Sequence, residues 1–220
     1  MSKKQFVVIG IGRFGSSLAK TLYALGNDVL AVDIDEETVQ NISESVTHAV
    51  QIDATDENSL RALGISNFDV AVITIGEDIQ ASIMTTLLIK EIGVKYIIAK
   101  ANNELQAKVL YKIGADRVVL PERDMGVRVA HNLVSSSILD YIELSPDYSI
   151  AEVVAPKDWH NRSLKELSMR SNYGVNVVAI KHDGDINASP NAEDVVEPGD
   201  IIVAIGGTEE LSKIEDMFTK

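Results

Sequence analysis

The chain has 220 residues, 45% of them hydrophobic, which suits one large domain or one average domain followed by a small one. Its net charge of -13 and its interspersed charges argue against a nucleic-acid partner, because phosphate contacts need clustered Lys and Arg. The absence of cysteine excludes disulfides and thiolate chemistry, and no apolar run approaches the roughly 20 residues of a membrane span, so we expect neither secretion nor membrane insertion.

A short apolar strand is predicted at 5–9, and it runs directly into Gly10, Gly12 and Gly15, with a helix predicted at 13–25. This is the context of a dinucleotide-binding glycine motif. We expect the first glycine to permit a tight turn, the second to let backbone approach a pyrophosphate, and the third to let helix and strand pack closely. Free N–H groups at the helix start favour phosphate. The motif therefore predicts an adenine-nucleotide site rather than three incidental glycines.

The second strand, predicted at 28–32, ends in Asp33. A carboxylate at this place can accept hydrogen bonds from both hydroxyls of an adenosine ribose and repels a 2′-phosphate, so NADP is disfavoured. Arg13 lies in the first turn of the preceding helix, where a cation opposes the helix dipole unless a polyphosphate is bound. Arg13 therefore favours ATP or ADP, and the alternative that it faces solvent or an acidic neighbour stays open.

Apolar β-branched runs alternate with amphipathic stretches through the first two thirds of the chain. Further strands are predicted at 46–52, 69–75, 95–100 and 117–120, and further helices at 35–45, 56–63, 78–92, 102–112 and 122–141. The continuous apolar character of 70–75 is typical of a parallel strand covered on both faces. The alternation predicts an α/β fold, a Rossmann-like doubly wound parallel sheet, over residues 1–140.

Other candidate residues follow the predicted strands, at the edge where open α/β sheets bind ligands. Residues 53–55 and 75–78 follow the third and fourth strands, and the small residues among them leave room for an adenine ring. Asp53 can pair with adenine or ribose, or it can be a helix-start residue. Lys100 can contact phosphate. Glu122 can hold a divalent cation, or it can be an ordinary first-turn glutamate.

After residue 140 the regular alternation of strands and helices stops, and the predicted elements become shorter. Strands are predicted at 150–154, 175–181 and 201–205, and turns at 145–147, 182–185 and 197–200. A short helix is predicted at 163–168. A closing helix is predicted at 208–218, with Leu211, Ile214 and Phe218 on one face. These elements predict a separate small α+β domain at 145–220.

The connecting helix predicted at 122–141 is apolar on more than one side. Its apolar positions are Met125, Val129, Leu133, Val134, Ile138 and Leu139. Such a helix is expected to pack on a partner subunit as well as on its own domain, and the alternative is a helix fully buried within one chain.

No pattern typical of catalysis is present. The four histidines are isolated, and there is no G-x-S-x-G, Walker lysine or H-E-x-x-H. A dehydrogenase needs a substrate domain with an acid/base pair, and residues 145–220 show none. The sequence predicts that the protein is not an enzyme.

Taken in order, the stretches at 8–16, 31–35, 53–56, 75–82, 112–116 and 121–126 resemble the RCK domain (regulator of conductance of potassium), also called the TrkA N-terminal domain. Residues 176–180, 189–190 and 197–200 look like the TrkA C-terminal domain. The domain order and length are similar to the cytosolic regulatory subunits of Ktr-type potassium-uptake systems.

This resemblance implies a cytoplasmic gating subunit beneath a membrane potassium-translocating partner, with dimers assembled into an octameric ring. It implies ATP, ADP or NAD/NADH in the N-terminal cleft, with ATP favouring the activated ring and ADP the inactive one. A divalent cation (Mg or Ca) would bind at Glu122. Cyclic di-AMP would bind at the dimer interface of the C-terminal domain, with Arg170 on its phosphates.

The residues implied for the nucleotide are Gly10, Gly12, Arg13, Phe14, Gly15, Asp33, Ile34, Asp53, Ala54, Thr55, Ile75, Gly76, Glu77, Lys100 and Glu122. Those implied for cyclic di-AMP are Met169, Arg170, Asn176, Val177, Val178 and Pro190.

Two other functions stay open on the residues alone. One is an NAD(H)-dependent oxidoreductase or redox sensor, which turnover of NADH would favour. The other is a ligand-binding module that serves another transporter or channel.

Overall fold

The computed structural model describes residues 3–134, 138–145, 147–215 and 217. The chain divides into two compact units, Met1–Glu122 and Arg123–Lys220. Each unit contains its own sheet and its own hydrophobic core. Among the described residues, none of the helices has both the length and the apolar character needed to cross a bilayer.

The first unit alternates strands with helices. Its strands are β1 (Gln5–Ile9), β2 (Asp28–Asp33), β3 (His48–Gln51), β4 (Val70–Ile73), β5 (Tyr96–Lys100) and β6 (Arg117–Val119). Its helices are α1 (Arg13–Ala24), α2 (Glu36–Ile42), α3 (Glu57–Ala62), α4 (Ile79–Ile92) and α5 (Glu104–Lys112), and α6 (Pro121–Val134) begins at its end.

The six strands form one parallel sheet in the order β3-β2-β1-β4-β5-β6. Alternate residues of β1 enter different cores, because Val7 belongs to the apolar cluster on one face and Val8 to the cluster on the other. All four residues of β4 are buried, as expected for a strand covered on both faces. The strand order reverses between β1 and β4, which opens a crevice at the carboxyl ends of these strands. The predicted doubly wound parallel sheet is confirmed.

The second unit is a small α+β structure, as predicted. Its strands are β7 (Ile138–Ser145), β8 (Tyr148–Val154), β9 (Arg162–Ser163), β10 (Val175–His182), β11 (Asp185–Asn187), β12 (Val195–Val196) and β13 (Ile201–Gly207), and its helices are α7 (Leu164–Leu167), α8 (Met169–Tyr173) and α9 (Thr208–Glu215). Five strands form an antiparallel sheet in the order β11-β10-β13-β8-β7, and β9 pairs with β12. Trp159 is fully buried in the core and meets Tyr173 edge-on at a ring-centroid distance of 5.1 Å.

The predicted helix at 122–141 is wrong at its C-terminal end. Helix α6 ends at Val134, and Ile138–Ser145 is the strand β7, in which Ile142 pairs with Ile150 of β8. Apolar residues four apart fit a helix and also one face of a strand, so their spacing alone does not decide between the two. Antiparallel pairing with β8 stabilises these residues as a strand. The predicted domain boundary at 140–145 falls inside strand β7.

Helix α6 presents apolar side chains to solvent in the single chain. Met125 is 54% exposed, Val129 46% and Leu133 80%. The alternative of a helix fully buried within one chain is therefore excluded at these three positions. The side chains of Val134, Ile138 and Leu139, and the whole of Phe218, lie outside the described residues.

Candidate functional site

A cavity of about 670 Å³ opens at the carboxyl ends of the parallel strands, and we call it the strand-end cavity. All six strand ends contribute to its lining, which comprises Ile9, Gly10, Gly12, Arg13, Phe14, Val32, Asp33, Ile34, Ile52, Asp53, Ala54, Thr55, Thr74, Ile75, Gly76, Glu77, Asp78, Ala81, Lys100, Asn102 and Glu122. Every residue of the predicted nucleotide set except Gly15 is among them. The structure thus brings the set together at one place, and its role in binding stays a prediction.

The turn between β1 and α1 needs glycine for two reasons. Gly10 has a positive φ of 92°, and its N–H donates to the carbonyl of Val32 at 2.8 Å. A Cβ at Gly10 would lie 2.9 Å from the backbone nitrogen of Ile75. Gly12 is the N-cap of α1 and has no side chain to bond the first-turn N–H groups, so these groups stay available to a ligand.

Gly15 lies beneath this turn rather than on the cavity surface. A Cβ at Gly15 would overlap the carbonyl oxygen of Gly10 and approach Thr74 Oγ1 to 2.5 Å. The expectation that Gly15 allows close helix–strand packing agrees with this geometry, whereas its implied position beside the phosphates does not. Thr74, which sequence reasoning missed, donates through Oγ1 to the carbonyls of Ile9 and Gly10 and so fixes the turn.

Asp33 is oriented by backbone groups on both sides of its carboxylate. Ile11 N–H donates to Oδ2 at 2.5 Å and Asp35 N–H donates to Oδ1 at 3.0 Å. These bonds hold the carboxylate at the end of β2, where it lines the strand-end cavity beside the 66% exposed side chain of Ile34. A carboxylate fixed in this way can accept further hydrogen bonds from ribose hydroxyls.

Asp53 also lines the cavity and is stabilised as an anion. Both the N–H and the hydroxyl of Thr55 donate to Asp53 Oδ1, at 2.8 and 2.6 Å. These hydrogen bonds lower the pKa of the Asp53 carboxyl. Helix α3 is capped by Asp56, which accepts from Asn58 N–H, so the alternative that Asp53 is the helix-start residue is wrong.

Lys100 and Glu122 form an ion pair at the β5–β6 side of the cavity. Lys100 Nζ lies 2.7 Å from Glu122 Oε1, with side-chain exposures of 11% and 68% respectively. The hydrogen bond from Lys100 lowers the pKa of the Glu122 carboxyl, and the charge of Arg13 adds to the effect. Gly76 leaves room for the ammonium, since a Cβ there would lie 3.3 Å from Lys100 Nζ.

Glu122 was predicted to hold a divalent cation. Within the part of the chain that the structure describes, no group of three or more His, Asp or Glu side chains is arranged to hold a metal ion. Glu122 thus offers a single carboxylate, and that carboxylate is already paired with Lys100. A cation there would need most of its ligands from elsewhere, such as phosphate oxygens.

Two further polar residues lie next to the strand ends: Asp78, which belongs to the predicted stretch 75–78, and Asn102, which sequence reasoning missed. Asp78 caps α4 by accepting from Ala81 N–H at 2.9 Å. Asn102 donates through Nδ2 to the carbonyl of Gly76 and through its N–H to Gln106 Oε1, the latter at 2.9 Å. Asn102 lies two positions after the end of the predicted strand 95–100, and that position is the signal that could have identified it.

The predicted cyclic di-AMP residues are divided between core and surface. Met169 is 6% exposed and belongs to the apolar core, so its side chain is not presented to a ligand in the single chain. Arg170 and Asn176 are exposed, and Val178 is 44% exposed beside an irregularity in the β10–β13 pairing. Helix α8 contacts β10, which places Arg170 on the element next to this strand. Val177 and Pro190 are half-buried.

His182, at the end of β10, lies among three carboxylates. Its Nδ1 is 2.6 Å from Oδ1 of the buried Asp200, and its Nε2 is 3.5 Å from Glu197 and 3.8 Å from Asp183. The hydrogen bond to Asp200 is the largest cause of a raised pKa for His182. A raised folded-state pKa means that the stabilisation is fully present below the unfolded value and is lost as pH rises through the folded value.

We therefore expect the melting temperature of the chain to decrease between about pH 6 and pH 8 because His182 loses its proton. In His182→Gln this decrease should be smaller. His48→Gln, a substitution in the first unit, should keep the wild-type decrease. Thermal unfolding followed by circular dichroism across this pH range measures the effect, and an identical pH dependence in wild type and His182→Gln would contradict it.

Comparison with known proteins gives a consistent result over both units. The TrkA-N domain family matches residues 6–121, and the TrkA-C domain family matches residues 149–219. Ktr system potassium uptake protein C of Bacillus subtilis (strain 168) is 48% identical over 213 residues, which is 97% of this chain and 96% of that protein. Ktr system potassium uptake protein A of the same organism is 46% identical over 216 residues, covering 98% and 97% of the two chains.

Two solved structures share the fold. The GsuK RCK domain has a TM-score of 0.70 at 18% identity and covers 100% of this chain, which spans about half (48%) of that longer chain. The TrkA-N domain of the inner membrane protein ybaL from Escherichia coli has a TM-score of 0.54 at 20% identity, covering 60% of this chain and 98% of the domain. Identities this low show the fold alone.

Proposed function

The chain belongs to the family of proteins built from a TrkA-N and a TrkA-C domain, and on that premise we propose that it is the nucleotide-sensing regulatory subunit of a Ktr-type potassium-uptake system. Full-length identity of 46–48% to two Ktr system potassium uptake proteins supports the biological role. These relatives are named for potassium uptake and not for a catalysed reaction. Potassium itself would cross the membrane through a separate translocating partner, with this chain at the cytoplasmic face.

The observation that carries the nucleotide assignment is the strand-end cavity. After the Gly12 N-cap, the first turn of α1 leaves N–H groups available to an anion, and Asp33 presents an oriented carboxylate at the end of β2, next to the end of β3 that precedes Ala54. In this proposal the phosphates bind at the start of α1, the ribose at Asp33 and the adenine beside Ala54. Arg13 and Lys100 supply positive charge for a polyphosphate, which favours ATP and ADP, and NAD or NADH can occupy the same cleft.

The chain can regulate transport if ATP and ADP favour different states of an assembly. A ligand shifts an equilibrium only through its different affinities for the two states, and a ratio of ~100 supplies about 2.7 kcal/mol per site. Several identical sites in one assembly add these contributions. We propose dimers that assemble into an octameric ring, and the exposed apolar side chains of α6 support contact between copies of the chain.

Two further ligands belong to this proposal. A divalent cation, Mg or Ca, is proposed at Glu122, where nucleotide phosphates would complete its ligand set. Cyclic di-AMP is proposed for the second unit, where the exposed Arg170 can meet a phosphate and the exposed Val178 can meet a base.

Flux measurements test the proposed function directly. Vesicles containing a Ktr membrane subunit should take up potassium faster when this chain is added with ATP than when it is added with ADP. Flux that does not depend on the chain would contradict the regulatory role. Steady consumption of NADH by the purified chain would favour the oxidoreductase instead.

Arg13→Ala is expected to reduce the preference for ATP over ADP by about tenfold, because Arg13 follows Gly12 directly in the cavity lining and its charge would act on the outermost phosphate. Affinity for AMP should change little. Arg61→Ala removes one cation from α3, where Arg61 pairs with Glu57 outside the strand-end cavity, and should leave all three affinities unchanged. Calorimetry measures these affinities. An equal loss of affinity for ATP, ADP and AMP in Arg13→Ala would refute the assignment of Arg13 to the outermost phosphate.

A further inference from the structure

The Lys100–Glu122 pair is unequal in burial. Lys100 is 11% exposed and Glu122 is 68% exposed, although their charged atoms are 2.7 Å apart. A buried ammonium needs a counter-anion, because leaving it unpaired costs free energy. For the exposed carboxylate of Glu122, breaking the ion pair costs much less free energy, because water solvates the separated carboxylate. The geometry therefore allows the anion on Lys100 to be exchanged while the ammonium stays in place.

The ammonium of Lys100 lies in the same cavity as the phosphate turn. A Cβ at Gly10 would lie 2.9 Å from Ile75 N, and a Cβ at Gly76 would lie 3.3 Å from Lys100 Nζ. The phosphate turn, the backbone at 75–76 and the ammonium are thus successive parts of one cavity wall. Arg13 lines the same cavity, and its positive charge helps to lower the pKa of Glu122, so both cations act on the same carboxylate. Since Gly12, Lys100 and Glu122 line the same cavity, we expect a phosphate chain that extends from Gly12 towards β5 to approach the ion pair.

We propose that Glu122 is a built-in competitor for the outermost phosphate of the ligand: its carboxylate neutralises Lys100 in the free protein, and a bound polyphosphate displaces it. This inference rests on the proposed nucleotide function and adds how the site measures phosphate length. A short ligand such as AMP does not reach Lys100 and leaves the ion pair intact. A longer one takes over Lys100 and frees Glu122, the second residue of α6, to meet a cation on the phosphates.

The cavity lining carries more acidic than basic side chains, so a test of Glu122 needs a control for general charge effects. Its lining includes five acidic side chains (Asp33, Asp53, Glu77, Asp78 and Glu122) and two basic ones (Arg13 and Lys100). Removing any carboxylate therefore helps every anionic ligand to some degree. Glu77→Gln is the matched control, because it removes one exposed carboxylate from the same cavity and leaves the Lys100–Glu122 pair in place.

Calorimetry on the full chain, with ATP, ADP and AMP and with EDTA to remove divalent cations, tests the exchange. Glu122→Gln should raise the affinity for ATP by about three- to tenfold and change that for AMP by less than about twofold. Glu77→Gln should raise the affinity for ATP less than Glu122→Gln does, and by a similar factor for ATP, ADP and AMP. In the background of Lys100→Met the gain from Glu122→Gln should disappear, since the two residues act through one contact.

The outcomes separate this inference from the function on which it depends. If wild type binds none of the three nucleotides, the proposed function and the exchange both fail. If wild type binds ATP but Glu122→Gln behaves like Glu77→Gln, or gains equally for ATP and AMP, the exchange alone is overturned. Should Lys100→Met not fold, Lys100→Gln replaces it, because a neutral amide also removes the charge that holds Glu122, and the selective gain for ATP should disappear there too.

Discussion

Gly15→Ala is expected to destabilise the chain by about 3 kcal/mol, because the added methyl group has no space in the folded structure. Its Cβ would overlap the carbonyl oxygen of Gly10 and lie 2.5 Å from Thr74 Oγ1. The first of these is a backbone atom that cannot rotate away. Helix α1 would have to move off the sheet, and the hydrogen bonds of Thr74 to Ile9 and Gly10 would be strained.

Gly12→Ala is the matched control for this prediction. No atom lies within 4 Å of a Cβ built at Gly12, and its φ of -65° is accessible to alanine. Its free energy of unfolding should therefore stay within about 1 kcal/mol of wild type. Urea unfolding measures both variants, and equal stability of the two would refute the packing role of Gly15. Nucleotide binding by Gly12→Ala should be weak, because its methyl group occupies the place of the pyrophosphate.

Residues at strand ends were the part of the site that the sequence predicted well. Once strands are predicted to be parallel and adjacent, their carboxyl ends must share one edge, so Asp33, Asp53, Lys100 and Glu122 had to converge. The structure confirms this convergence in the strand-end cavity. The polarity of these residues and the glycine spacing were sufficient, and no knowledge of side-chain packing was needed.

Features that depend on tertiary pairing could not be predicted in this way. The ion pair of Lys100 and Glu122 requires the β5–β6 register, in which Lys100 pairs with Val119. The hydroxyl of Thr74 stands in an apolar run, and only the folded turn shows which carbonyls accept from it. The first four residues of strand β7 were predicted as helix, because their strand conformation depends on pairing with β8. Burial of Met169 likewise follows from the core around it.

Asp33→Asn is expected to weaken the binding of every ligand that contains an adenosine ribose by about 10- to 100-fold, which corresponds to the loss of charge-assisted hydrogen bonds. The wild-type carboxylate accepts from Ile11 N–H and Asp35 N–H and has lone pairs left for two hydroxyls. An asparagine has one acceptor oxygen instead of two. Its amide group would also point N–H groups at a backbone donor on one side of the residue.

A ligand lacking one hydroxyl separates this ribose contact from a general distortion of the site. Wild type should prefer ATP to 2′-deoxy-ATP, and Asp33→Asn should lose most of that preference, because the group that senses the 2′-hydroxyl has changed. Asp35→Asn is the control, since Asp35 caps α2 through Thr38 N–H and lies outside the cavity lining. Calorimetry with both nucleotides is decisive: if Asp33→Asn still discriminates as wild type does, the carboxylate at the end of β2 does not bind the ribose.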